Sequence, residues 1–230
     1  MAEGLREFSV ALAEMARDLA AQASVQATLE RIVAHAVDLV EGCDQAGILL
    51  LHPDRSLETP AATSDLVRES DRSQSELGEG PCFSALVDRE PVYRISDIGT
   101  CDQRWPRFGP RARDLGLGSM LGFLLYTEER ELGALNLYST RADVFTEHSE
   151  VVGWLLASHA AVLYATARTE AQLQTAISTR QLIGEAVGIT MERYKVPADQ
   201  AFDLLRTLSQ NRNIKLREVA ERITTTGELT

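Results

Sequence analysis

The side chains able to do chemistry are spread unevenly along this chain. Between positions 206 and 222 stand five basic residues, Arg206, Arg212, Lys215, Arg217 and Arg222, against two acidic ones, Glu218 and Glu221. Residues 171–230 hold eight basic and seven acidic side chains, a net +1; the whole chain is −11, so residues 1–170 carry −12. Polyanion affinity needs a local positive face more than a positive total, which makes this short basic stretch a candidate nucleic-acid contact on an acidic protein. The other reactive side chains point to plainer roles. Cys43, Cys82 and Cys101 are odd in number, widely separated and form no CxxC pair, so neither a disulfide framework nor a zinc site is expected. Cys82, beside Gly80-Pro81, would sense oxidants only if exposed and acidic, and packing is the simpler reading. His35, His52, His148 and His159 show no ligand spacing, so no metal and no haem are expected. Gly78-Glu-Gly-Pro81 lacks both phosphate-binding glycine patterns and reads as a tight turn. No nucleophile elbow, zinc-protease, Walker, kinase or paired-carboxylate pattern occurs, so the chain is not expected to be an enzyme.

The elements carrying the basic stretch are helical. Ile183, Ala186, Val187, Thr190, Met191 and Tyr194 recur at steps of three and four, one face of a helix. Val196-Pro197 breaks it; Pro197 suits the first turn of a second helix, with Asp199 near its positive end. Phe202, Leu205 and Leu208 line that second helix as its core face, and Asn213 is placed to cap a third, carrying Leu216, Val219, Ala220 and Ile223. Helices this short must pack on one another. A bundle of this kind alone leaves three functions open: RNA contact, DNA major-groove contact, or a protein-binding tail on a dimeric scaffold.

Upstream the pattern is mixed. Leu5, Phe8, Leu12, Met15 and Leu19 form a heptad-like stripe over an N-terminal helix within residues 1–24. A second helix runs through Val25, Leu29, Ile32, Val33, Ala36 and Val40, ending at Gly42-Cys43. Strands are predicted at 46–51, 91–95, 119–126 and 132–138, with Glu128-Glu-Arg-Glu131 as a hairpin turn and the polar 54–78 stretch as a loop or poor edge strand. Helices around short antiparallel strands make an α+β domain. From Thr146, a plausible N-cap, to Tyr194 there is no proline. Leu155, Val162, Thr169, Ala176 and Ile183 fall seven apart, as do Val152, His159, Thr166, Leu173 and Arg180, a coiled-coil signal for a parallel homodimer with the 5–19 stripe alongside. At 230 residues, 44% apolar and 25% charged, two modest soluble domains fit. The chain has neither an eighteen-residue apolar run nor a basic leader, so no membrane contact and a cytoplasmic location are expected.

Two resemblances sharpen this. Ser178-Thr-Arg180, Ile183-Gly-Glu-Ala-Val-Gly-Ile189, Ala201-Phe-Asp-Leu-Leu-Arg206, Ser209 and Asn213-Ile-Lys-Leu-Arg-Glu-Val-Ala220 resemble the ANTAR domain, a three-helix RNA-binding module of bacterial transcription antitermination. Gly78-Glu-Gly-Pro-Cys82, Ala85, Asp97-Ile98, Trp105-Pro-Arg-Phe108, the Gly133-Ala-Leu-Asn-Leu-Tyr138 strand and Phe145-Thr146 resemble a GAF domain of the kind fused to ANTAR domains in actinobacteria. The cyclic-nucleotide signature of some GAF domains is absent. The resemblances imply a PAS-like antiparallel-sheet GAF sensor over 25–168, joined by a long coiled-coil helix to a three-helix ANTAR bundle over 169–230. They imply a signalling regulator that binds paired RNA hairpins with short loops and favours the antitermination structure over the terminator. Residues matching the motif and placed to contact RNA are Arg180, Gly184, Gly188, Ser209, Asn213, Lys215 and Arg217. Val187 stands where many members have lysine and Thr190 where most have leucine. A small-molecule ligand or a protein partner is implied at the GAF domain, in a pocket between the sheet and the 78–118 segment; the sequence specifies neither ligand nor cofactor.

Overall fold

The computed structural model describes residues 2–52, 56–88, 91–126 and 131–228. It divides into two compact units, Met1–Arg168 and Thr169–Thr230, and one helix, Glu147–Tyr194, contributes to both.

The first unit is built on a five-stranded antiparallel sheet ordered β2-β1-β5-β4-β3. Its strands are β1 (Gln45–Leu51), β2 (Leu57–Ala62), β3 (Val92–Ile95), β4 (Ser119–Tyr126) and β5 (Glu131–Ser139). Both faces are covered, so β1 and β4 read as nearly continuous apolar runs rather than alternating ones. The period of two still sorts the side chains. Ile48, Leu50, Leu121, Phe123, Leu125, Leu135 and Leu137 join one apolar cluster, with residues of α1 (Ala2–Ala20), α2 (Val25–Leu39) and α6 (Glu147–Tyr194). Leu49, Met120, Leu124 and Tyr138 face a second cluster, with α3 (Asp65–Leu77), α4 (Pro81–Asp88), a 3-10 turn (Ile98–Gln103) and α5 (Phe108–Asp114).

Helix starts follow local chemistry. The Ser24 hydroxyl accepts a hydrogen bond from the Ala27 backbone N–H at 3.1 Å and caps α2. Thr146 and Ser149 exchange reciprocal side-chain to backbone bonds at the start of α6, a capping-box arrangement. Met15 and Leu19 of the N-terminal stripe are buried in this unit's own core, and Phe8 and Leu12 pack against it, so the domain itself uses much of that stripe. Leu5's side chain and the proposed turn at 128–130 lie outside the described residues.

In the 54–78 segment the edge strand is present as β2, at one edge of the sheet, while Asp65–Leu77 departs from expectation and forms helix α3. It reads as a loop because the face α3 buries is largely polar, with Ser70, Asp71, Ser73 and Gln74 beside Val67. Apolar periodicity cannot report a helix held down by hydrogen bonds.

In the second unit, the end of α6 packs with α7 (Ala198–Arg212) and α8 (Leu216–Thr226). Its core is Ala186, Leu205, Val219, Ala220 and Ile223, bordered by Leu182, Ile183, Val187, Leu208, Ile214 and Leu216. Thr190 is also buried, and its hydroxyl donates to the Ala186 carbonyl at 2.8 Å, which satisfies it inside an apolar bundle. Two expectations are corrected. Phe202 is 39% exposed, because Ala201 and Leu205 hold the inward face and Phe202 sits about 100° round the helix from Ala201. Asn213 ends α7 in a left-handed conformation (φ 51°) rather than starting α8, whose N-cap position is Lys215.

One 18-residue window of α6 reaches a mean hydropathy of 1.2, enough by length and composition alone to cross a membrane. Apolar side chains of the same helix, Val152, Leu156, Ala157, Ala160, Ala161 and Tyr164, are buried in the core of the first unit.

Candidate nucleic-acid interface

The α7–α8 turn is shaped by two of the motif residues. Asn213 supplies the left-handed residue that ends α7, a conformation asparagine tolerates better than most side chains. Ser209 reaches across the turn and its hydroxyl donates to the Ile214 carbonyl at 2.6 Å. Both therefore fix the backbone between Arg212 and Arg217. The two remaining motif residues here are exposed. Lys215 occupies the N-cap position of α8 with no side-chain capping bond, and Arg217 follows two residues later.

That arrangement is unfavourable for folding. A helix start carries partial positive charge and unpaired N–H groups, and prefers serine, threonine or aspartate. The first intrahelical bonds come from Glu218 and Val219, both donating to the Lys215 carbonyl, which leaves the N–H groups of Leu216 and Arg217 outside the helical ladder. Cations at such a position make sense where an external anion completes the cap.

Pairing sharpens the picture. Arg193 pairs with Glu228 and donates to the Gly227 carbonyl, Lys195 pairs with Glu192, and Arg206 with Asp203. Among the described residues, Arg180, Arg212, Lys215, Arg217 and Arg222 carry no ion pair. Three of these five lie within six residues of the turn. Arg180, Gly184 and Gly188 are placed separately, at one-turn intervals along α6. A methyl group added at Gly184 or Gly188 would meet nothing within 4 Å, so internal packing does not require either glycine. Gly188 shares an open groove with Glu185, Ile189, Glu192 and Arg193, surroundings suited to a close backbone approach. Exposed Phe202 on α7 was missed as a surface residue; the 201–205–208 spacing is the signal that places it outside the core.

In the first unit Trp105, Phe108, Met120 and Tyr138 are buried in one apolar cluster between the sheet and the described part of the 78–118 segment. A cavity of about 280 Å³ opens elsewhere, between β1–β2 and α3, lined by Leu49, Leu57, Thr59, Arg68, Asp71 and Arg72 among others. Burial pushes the Asp71 carboxyl up to about 6, against hydrogen bonds from Tyr138, Thr59 and Asn136 that favour its charged form. The cysteines are all buried; burial pushes the Cys43 thiol up to about 12 and raises that of Cys82. Neither is poised as a thiolate.

Comparison with known proteins decides the class. A GAF domain family model matches residues 22–163, well over half the chain, and an ANTAR domain model matches residues 171–223. The chain belongs to the GAF family and carries a C-terminal ANTAR domain. No curated protein sequence matches it. Among solved structures, the chromophore-binding domain of a bacteriophytochrome from R. palustris aligns with a TM-score of 0.56 at 14% identity, over 72% of this chain and 62% of that one. A phytochrome photosensory core module from Stigmatella aurantiaca aligns at 0.61 and 14%, over 91% and 45%. The GAF domain of a phosphoenolpyruvate-protein phosphotransferase from Coxiella burnetii gives 0.54 and 18%, over 72% and 96%. The chain thus spans less than two thirds of either phytochrome relative's length, and identities this low carry the fold alone. GAF and ANTAR domains are regulatory rather than catalytic, one sensing signals and the other binding RNA in antitermination.

Proposed function

We propose that this GAF–ANTAR protein is a cytoplasmic, homodimeric transcription antitermination regulator that binds pairs of short-loop RNA hairpins, with signal input at the GAF domain. The observation that carries the RNA reading is the set of unpaired cations around the α7–α8 turn, above all Lys215 at the positive end of α8. Arg212, Lys215 and Arg217 take phosphates. Arg180 adds a contact from α6, Gly184 and Gly188 admit a neighbouring backbone, and Ser209 and Asn213 hold the turn in shape. Phe202 offers an exposed ring on which a splayed loop base can stack. The absence of lysine at Val187, which borders the bundle core, removes one phosphate contact.

The dimer reading rests on α6, where Val151, Val162, Leu173 and Ile177 are 59%, 58%, 61% and 52% exposed. Val151 and Val162 stand eleven residues, about three helical turns, apart in the first unit, and Leu173 and Ile177 about one turn apart in the second. Two linked weak sites gain effective concentration on a target whose hairpins match their spacing. Gel shifts of the full chain with two-hairpin RNA, one-hairpin RNA and duplex DNA test the reading. Preference for the two-hairpin RNA supports it, and equal or better binding to duplex DNA sinks it.

A further inference from the structure

The polar face that α3 buries ends in an unfinished site. Asp71 is fully buried and, among the described residues, forms no ion pair, although the charge of Arg68 acts on it from the cavity rim. Its Oδ1 accepts from the Tyr138 hydroxyl at 2.7 Å and from the Asn136 amide at 3.4 Å. Its Oδ2 accepts only from the Thr59 hydroxyl, at 2.9 Å. A carboxylate offers about four lone-pair directions, and three hydrogen bonds are made here, only one of them to Oδ2, the oxygen beside Thr59. Both Thr59 and Asp71 line the 280 Å³ cavity. Buried acceptors are rarely left orphaned, and a buried carboxylate without a cation is costly.

The rest of the cavity has the opposite character. Leu49 and Leu57 supply an apolar wall, while the exposed Arg68, Arg72 and Glu76 stand at the rim. Arg68 donates to the Thr59 carbonyl at 2.8 Å and Arg72 to Glu69 at 3.0 Å, each guanidinium keeping further donors. An acceptor at the floor, a hydrocarbon wall and guanidinium donors at the rim describe a dipolar occupant.

We propose that the cavity between β1–β2 and α3 binds a small zwitterion of the aliphatic amino-acid kind, its ammonium on Asp71, its carboxylate at Arg68 and Arg72, its side chain against Leu49 and Leu57. The site deepens the signal-input reading of the GAF domain and rests on it, but its test needs no RNA.

Calorimetric titration of the full chain with L-leucine, L-isoleucine, L-valine and L-norvaline is compared with 3-methylbutylamine and 4-methylpentanoate, leucine stripped of one charge each. At least one amino acid binds ten times more tightly than either fragment. Asp71→Asn removes the preference over 4-methylpentanoate, and folding tolerates it because the Tyr138 and Thr59 hydroxyls can reverse from donor to acceptor. Arg72→Gln removes the preference over 3-methylbutylamine. Ser75→Phe, at an exposed position lining the cavity, blocks binding of all ligands and serves if the Asp71 variant does not fold. Failure of all four amino acids to bind, fragments binding as well as the intact zwitterion, or undiminished binding to the Ser75 variant overturns the assignment. Binding that leaves RNA affinity unchanged still establishes the site and removes only its coupling to the ANTAR domain.

Discussion

Lys215→Ser should make the ANTAR bundle more stable and a poorer RNA binder. Lys215 holds the N-cap position of α8 without a side-chain capping bond. A serine hydroxyl there can accept an N–H of the first turn, and supplying a cap is worth about 1 kcal/mol. Removing a cation from the positive helix end adds about 0.3–1 kcal/mol. The sum, about 1–2 kcal/mol, raises the melting temperature of a unit this small by roughly 4–8 °C per kcal/mol. On the RNA side, each lost phosphate contact lowers the slope of log K against log salt by about 0.7–0.9. Scanning calorimetry and fluorescence anisotropy across a salt series read the two effects on one sample, and adding Arg217→Ala should lower the slope by a similar amount again. The opposite signs distinguish a binding residue from a structural one. A variant that binds RNA with unchanged slope, or that loses stability along with affinity, refutes the reasoning.

The remaining predictions concern packing, close approach and charge. Leu205→Ala should cost about 2–5 kcal/mol, since Leu205 is fully buried, whereas exposed Phe202→Ala should cost well under that; equal losses in thermal melts would contradict the register of α7. Gly184→Ala with Gly188→Ala should stabilise α6 by about 1–2 kcal/mol in total, since nothing inside the chain approaches either position, while RNA affinity falls; unchanged affinity removes both glycines from the interface. Asp71, raised to about 6, binds protons more tightly folded than unfolded, so its contribution to stability is present below about pH 4 and lost as pH rises through about 6. The stability difference between wild type and Asp71→Asn should therefore move against wild type by up to about 3 kcal/mol from pH 4 to pH 7, and a flat difference would show that the carboxyl is not desolvated.

Legibility from sequence followed the physics of each element. Strands β1, β4 and β5 were readable because burial makes them largely apolar runs, β3 from its β-branched and aromatic residues, and α6 because no proline interrupts it. Helix α3 was not readable, because it buries polar side chains whose partners lie outside the helix, Asp71 with Tyr138 and Gln74 with Cys82. Phe202 misled because an aromatic residue beside Leu205 suggests core, while helical register, set by Ala201, decides otherwise. At the proposed interface the motif names candidate residues but not their division of labour. That Ser209 and Asn213 shape the turn while Lys215 occupies a helix start emerges only once backbone angles are known.

The most direct test of the account is selection from a random RNA library by the full chain, with the Lys215→Ser, Arg217→Ala variant as the counter-selection. The account predicts enrichment of molecules carrying two short-loop hairpins at a narrow range of spacings, retained by wild type and released by the variant. No enrichment over the variant, or enrichment of unpaired single strands without hairpins, would contradict it.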